Sequence, residues 1–264
     1  MLEIARYEGR HRIRGAAVAT AALSAFALLY IFVYPTFAES LGSDIDQLLE
    51  AYPEALSKAF GVQSLATMEG YLASELYTFG WLLIVGLYFA YAAASLIAAD
   101  VERERMDMLL SLPVSRARVV LEQFASLAVP LVALSAVVPV VVVLGTAAVD
   151  YPVPAADVAV LHLLSLPYLT TCAGIGLVAS VIFDRASLAQ RAAVGVLVAL
   201  FFGESLLTGT DYEAAGAVSP TRYVDPNAVL RESEYAVADA LVLVVATLAL
   251  VGLAVVIFRR TDIE

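Results

Sequence analysis

Residues 116–149 read RARVVLEQFASLAVPLVALSAVVPVVVVLGTAAV. Two arginines and a glutamate come first, and the 26 residues from Phe124 to Val149 then contain no ionisable side chain. A helix needs about 20 such residues to cross roughly 30 Å of hydrocarbon, and it satisfies its backbone donors and acceptors internally, as lipid requires. This stretch therefore reads as a membrane span, Val119–Val149, with its basic end in water. Five further apolar runs repeat the pattern at approximately Gly15–Phe37, Tyr77–Ala99, Val158–Phe183, Ala192–Leu207 and Ala240–Phe258. A composition of 61% apolar residues and a mean hydropathy of +0.86 exclude a soluble core.

The basic residues give the orientation. If all six runs span, 12 of the 15 Lys and Arg residues fall on one side: Arg6, Arg10, Arg12, Arg14, Arg103, Arg105, Arg116, Arg118, Arg185, Arg191, Arg259 and Arg260. Only Lys58, Arg222 and Arg231 remain for the other. The positive-inside rule then places both termini in the cytoplasm of a multi-pass plasma-membrane protein. The expected fold is all-α and polytopic: six transmembrane helices preceded by an N-terminal interfacial helix over residues 2–14, after which the chain turns into the bilayer. The first run is 23 residues long, more than the 7–15 of a signal h-region, and is read as a retained helix.

The net charge is −11, and the outer connections hold 15 of the 26 acids. With one lysine in the chain, this surface resembles those of extreme halophiles. At 1 M salt the Debye length is only about 3 Å, so the acids would not steer ligands, and nucleic acid is not expected among the partners. The outer connection 38–76 is expected to be ordered as two short helices, one opened by Ser43 and Asp46 and carrying Ile45, Leu48, Leu49 and Tyr52 on one face, the next opened by Pro53. Residues 204–238 admit two readings, a re-entrant element or a surface loop. Within the spans, Gly86, Ala90, Ala94 and Ala98 form a small-residue stripe along which another helix could approach. Pro130, Pro139 and Pro167, the last followed by Gly174 and Gly176, predict bends.

Enzymatic constellations do not assemble. HExxH and GxSxG are absent, the two histidines are His11 and His162, and the sole cysteine, Cys172, reads as a small buried apolar residue. The loop GxxxxGK needs a lysine, and Lys58 lies outside, so the chain is not expected to hydrolyse ATP by itself. No metal, catalytic or cofactor site is expected. Glu204, at the outer end of the fifth run, is the most interesting intramembrane acid and a candidate pathway residue. Glu122 and Gln123 read as the cytoplasmic extension of the third run rather than as buried groups.

The cytoplasmic stretch 102–116, ERERMDMLLSLPVSR, combines dense charge with apolar Met106, Met108, Leu109, Leu110 and Leu112. A short helix ended by Pro113, with Ser115 placed to cap the next, would present those residues to a partner's groove. This stretch resembles the pattern E-R-x-x-x-x-x-L-L-S-x-P-V-S-R of membrane subunits of ABC-2 type ATP-binding-cassette transporters. The match runs through Glu102, Arg103, Asp107, Leu109, Leu110, Ser111, Pro113, Val114, Ser115 and Arg116. It extends to ALSKAFGVQSLATMEGYLASELY before the second run and SPTRYVDPNAVL before the last. One departure stands out: the family usually has Gly-Thr where this chain has Glu104-Arg105.

The resemblance implies a single transmembrane permease domain over 1–264, the membrane subunit of an ATP-driven exporter. It pairs with a second permease, identical or not, and with cytoplasmic ATPase subunits that carry ATP and Mg. It makes 100–118 the coupling segment, with Glu102, Arg103, Asp107, Leu109, Leu110, Pro113, Val114, Ser115 and Arg116 as its contact residues, between outer connections 38–76 and 208–238. An alternative is an ATPase-driven membrane scaffold for assembly or maturation of an extracytoplasmic protein. An ion-coupled carrier would call for internal repeats and midplane charges, and neither is evident.

Overall fold

The computed structural model describes residues 3–41, 65, 67–106 and 114–260. Among these, six helices are long and apolar enough to cross a membrane: Ile4–Glu39, Met68–Ala94, Arg116–Ala148, Ala155–Ile182, Ala186–Leu207 and Val237–Arg260, here spans one to six. Each contains or overlaps a run marked out by hydropathy. The two short helices expected in 42–64 lie outside the described residues.

The cytoplasmic ends of the spans meet, which tests the expected topology. Backbone N–H groups of Ile4 and Ala5, at the start of span one, donate to Glu122 near the start of span three. Ala186 N, opening span five, donates to Glu102 at the end of the segment that follows span two. Arg116, opening span three, donates to the carbonyl of Phe258 at the end of span six. Alternating helix directions are thus built in, and the arginine-rich ends coincide. At the opposite end, Asp157 of span four accepts from Ser233 and, at 2.6 Å, from Tyr235. That hydrogen bond holds the Tyr235 phenol above its ordinary pKa. Tyr30, Tyr34, Phe37, Tyr71 and Tyr151 stack there as an aromatic cluster of the kind that marks a membrane interface.

Span four is the hub, packing against spans two, three, five and six, while span one rests on span three. The small-residue stripe is where spans two and four meet. Gly86, Ala90, Ala94 and Ala98 are all buried, Gly86 faces Tyr168 and Cys172, and Gly176 of span four lies directly on the Ala90 carbonyl. Thr171 joins spans four and six, with its hydroxyl bonded to Thr247 and to Leu243 O. Cys172 is buried, as its reading as a small apolar residue required.

Three features differ from the sequence reading. Residues 3–14 do not turn before the first span: Glu3–Leu41 is one uninterrupted helix, about 58 Å long at 1.5 Å per residue. Its N-terminal amides are capped by Glu122, Arg12 Nε donates to Ser126 Oγ, and Gly9 packs on Val129, so protein contacts hold this segment. The second difference is that Leu72–Val85, 14 residues of span two, wind as a π-helix, with Thr78 Oγ1 donating to the carbonyl five residues back. Runs of this length are uncommon, and hydropathy has no signal for them. The third is the outer connection before span six, which folds as two 3₁₀ turns, Glu213–Val218 and Pro220–Tyr223, and a helix, Pro226–Glu232. Asp225 caps that helix through Asn227 N and Ala228 N, and it packs on spans two and four.

Of the two prolines in span three, Pro139 lies inside the continuous helix Ala128–Ala148, while Pro130 breaks the helix where sterics require. Pro130 has no N–H and crowds the carbonyl four residues back. The helix accordingly divides at Ser126–Leu127, into Arg116–Ala125 and Ala128–Ala148. Ser126 fills the gap by donating to Gln123 O at 2.6 Å.

Candidate functional site

The segment after span two builds the cytoplasmic site. Span two ends at Ala94, Ser95–Ile97 make a turn, and Ala98–Glu102 form a short helix. The turn exposes the N–H groups of Ile97 and Ala98, and both donate to Ser180 Oγ of span four, at 2.9 and 3.0 Å. The helix then closes with Glu104 N donating to Val101 O and Arg105 N to Asp100 O, while Glu104 itself takes φ +54°. This is a Schellman ending, whose left-handed residue is usually glycine.

The departure from the ABC-2 pattern at 104 is explained by that geometry. Glu104 occupies the position where glycine would close the turn at lowest cost. The left-handed conformation costs an L-residue roughly 1–2 kcal/mol, partly offset by the backbone entropy glycine loses. Glu104→Gly is therefore expected to stabilise the chain by about 0.5–1 kcal/mol, and Glu104→Val to destabilise it; thermal unfolding in detergent reads both.

Asp100, Arg105 and Gln123 lock the two sides of the connection together. Asp100 is 5% exposed and accepts from Arg105 at 2.5 Å and from Gln123, itself 2% exposed, at 2.8 Å. Glu122, 4% exposed, takes the Ile4 and Ala5 amides on one oxygen and Arg118 Nε, at 2.6 Å, on the other. Glu122 and Gln123 are thus buried and hydrogen-bonded, which overturns the reading that they are not buried groups. The signal was present: an acid and an amide at the mouth of an apolar run are costly to leave unpaired. Sequence reasoning also passed over Asp100, Ser180 and Phe258.

The expected contact residues divide. Ser115 caps span three as anticipated, accepting from Arg118 N at 3.3 Å. Arg116 binds its own chain, through the Phe258 carbonyl at 3.2 Å and with its guanidinium 5.7 Å from the Phe258 ring centre. Glu102 caps span five through Ala186 N at 3.0 Å. Met106, grouped above with an apolar patch that needs a partner's cover, is already covered by this chain at 1% exposure. Val114 is half-buried and Arg103 exposed. Asp107, Leu109, Leu110 and Pro113 lie outside the described residues. Arg103 and Arg105 share a polar cleft of about 450 Å³ with Glu8, Arg12, Asp100 and Glu102.

A second concavity lies in the bundle. Between spans five and six, floored by span four, runs a groove of about 660 Å³ whose walls are almost wholly apolar, among them Ile175, Val196, Leu200, Ala246 and Leu250. Val218, Pro220 and Tyr223 of the folded outer connection line its outer end. Glu204 is not among its lining residues; its carboxylate accepts from Thr208 at 3.0 Å and its stem meets Gly216. His162 lies elsewhere, at 2% exposure between the rings of Tyr77 and Trp81, with Nδ1 donating to Val158 O. Trp81 donates to Ser165 at 2.7 Å beside it. Among the described residues the other imidazole nitrogen of His162 has no partner.

A family model described as ABC-2 family transporter protein matches residues 2–263. No curated protein and no solved structure matches.

Proposed function

This chain belongs to the ABC-2 transporter family and is the multi-pass plasma-membrane component of an ABC transporter; on that premise we propose that it couples a separate cytoplasmic ATPase to export, or extraction from the membrane, of a substrate. The match over nearly the whole chain carries the reading. ATP and Mg belong to the ATPase, and a second permease, a copy of this chain or a relative, completes the translocating unit. The connection 100–118 receives the ATPase: Leu109 and Leu110 supply buried contact, and Arg103 and Asp107 fix its register through charge-assisted hydrogen bonds. The apolar groove between spans five and six favours a hydrophobic or amphiphilic substrate. The acid-rich outer connections and single lysine favour a host that lives at high salt.

The test is affinity purification of the tagged chain in mild detergent, with co-eluting proteins identified and counted. A stoichiometric soluble ATPase is expected; recovery of the chain alone after crosslinking overturns the proposal. Leu109→Asp is expected to lower the ATPase recovered at least tenfold with membrane insertion unchanged.

A second reading, a scaffold for assembly or maturation of an extracytoplasmic protein, draws on the outer connection 208–238. It is folded, and it exposes Tyr212 and Val218. Capture of a protein by this surface would favour the scaffold, and stimulation of ATP turnover by a small amphiphile would favour transport.

A further inference from the structure

We propose that motion of the connection 100–118 reaches spans one, five and six through three charged side chains fastened to the ends of those helices, two of them in the connection and one in span three, in addition to the two spans it joins covalently. The inference rests on the reading above that this connection receives the ATPase.

The geometry repeats one device three times. Glu122 grips the first amides of span one, at 2.9 and 3.3 Å. Glu102 grips the first amide of span five, at 3.0 Å. Arg116 grips a carbonyl in the last turn of span six, at 3.2 Å, and lies against the Phe258 ring. In each case the sign of the side chain matches the helix end it holds: carboxylates on the positive N-termini, a guanidinium on the negative C-terminus. Charge-assisted bonds of this kind are the strong members of their class.

Two of the three residues, Glu102 and Arg116, lie within the connection, and Glu122 sits about 1.7 helical turns into span three. The base is stiff, because Asp100 ties Arg105 to Gln123 across it. A displacement of the connection is therefore passed to spans one, two, three, five and six at their cytoplasmic ends. Span four meets the turn that leads into the connection through Ser180, which accepts from the Ile97 and Ala98 amides. Glu122 is a positioning residue of this linkage.

The test uses the full chain, in complex with the ATPase that co-purifies with it, in lipid nanodiscs. With Cys172→Ala as background, nitroxide labels replace Tyr7 of span one and Leu188 of span five, both exposed. Double electron–electron resonance then gives the distance between them before and after ATP binding under conditions that block hydrolysis.

An ATP-dependent shift is expected in the parent. In Glu122→Ala the shift falls below half while the ATPase stays bound in parental stoichiometry, and Glu122→Gln, which keeps an acceptor oxygen, recovers most of it. Where the alanine variant does not assemble, Glu122→Asp serves: the charge remains, but is withdrawn by one methylene, and the shift again falls. A parental shift in whichever of these assembles, even with a lowered thermal midpoint, makes the contact merely structural and overturns the inference. So does a parent that binds ATPase and ATP with no shift. A parent that binds no ATPase removes the functional reading, and the inference with it.

Discussion

Gly176→Leu is expected to leave no folded protein, and Gly176→Ala to destabilise the bundle by about 3 kcal/mol, at the upper end of what overpacking usually costs. A Cβ placed on Gly176 would lie 2.1 Å from the carbonyl oxygen of Ala90 and 2.9 Å from its carbon, with the Ala93 methyl at 3.0 Å. The obstacle is backbone, so no rotamer relieves it. The two most enclosed spans, two and four, would have to separate along the whole stripe from Gly86 to Ala98. Association in lipid depends on such close packing, because apolar burial does not drive helices together there. Gly195→Ala and Gly252→Ala are the controls. A Cβ at either meets nothing within 4 Å, so both are expected to be neutral or to stabilise by up to about 1 kcal/mol, the entropy a helical glycine loses. Fluorescence-detected size exclusion of the solubilised chain, followed by thermal unfolding, separates the two classes. Equal midpoints for Gly176→Ala and Gly195→Ala would remove the contact from the account.

That glycine shows where a single sequence stops being informative. The four-residue spacing in span two was legible, because periodicity belongs to one helix. The partner of the stripe was not, because helix pairing joins residues 86 positions apart, Ala90 and Gly176. Gly176 was instead grouped with Pro167 and Gly174 as part of a bend. That the arginine-rich helix ends share one side was legible from twelve arginines, and the hydrogen bonds that gather those ends agree with it. In the cytoplasmic connection, the cap at Ser115 followed from local chemistry alone. The engagement of Arg116 with Phe258 depends on an element far along the chain. Glu104 lies between these cases. Its departure from the family pattern was visible, but only the left-handed backbone at φ +54° says what the usual glycine is for.

Ser180→Ala is the second substitution expected to be severe, although it removes one oxygen atom. Ser180 is 1% exposed, and its hydroxyl is the acceptor for two backbone donors, Ile97 N and Ala98 N. These donors exist because span two stops at Ala94 and the chain turns through Ser95–Ile97 before the next helix begins, so neither amide has a carbonyl of its own helix to bind. Each buried donor left without a partner costs about 1–3 kcal/mol, and alanine strands both, for a combined loss of roughly 2–6 kcal/mol. The loss should be local as well as global. The turn carries Asp100, which holds Arg105 and Gln123, so the cytoplasmic connection should loosen before the bundle unfolds. Hydrogen exchange is expected to rise over 95–105 in Ser180→Ala at temperatures where span four is still protected. Ser180→Cys should be intermediate, since sulfur accepts weakly. The counter-case is Ser135 in span three, whose buried hydroxyl has no partner among the described residues. Ser135→Ala discards a polar group that forms no bond there and is expected to be neutral or stabilising. If both serines tolerate alanine equally, Ser180 does not support the turn.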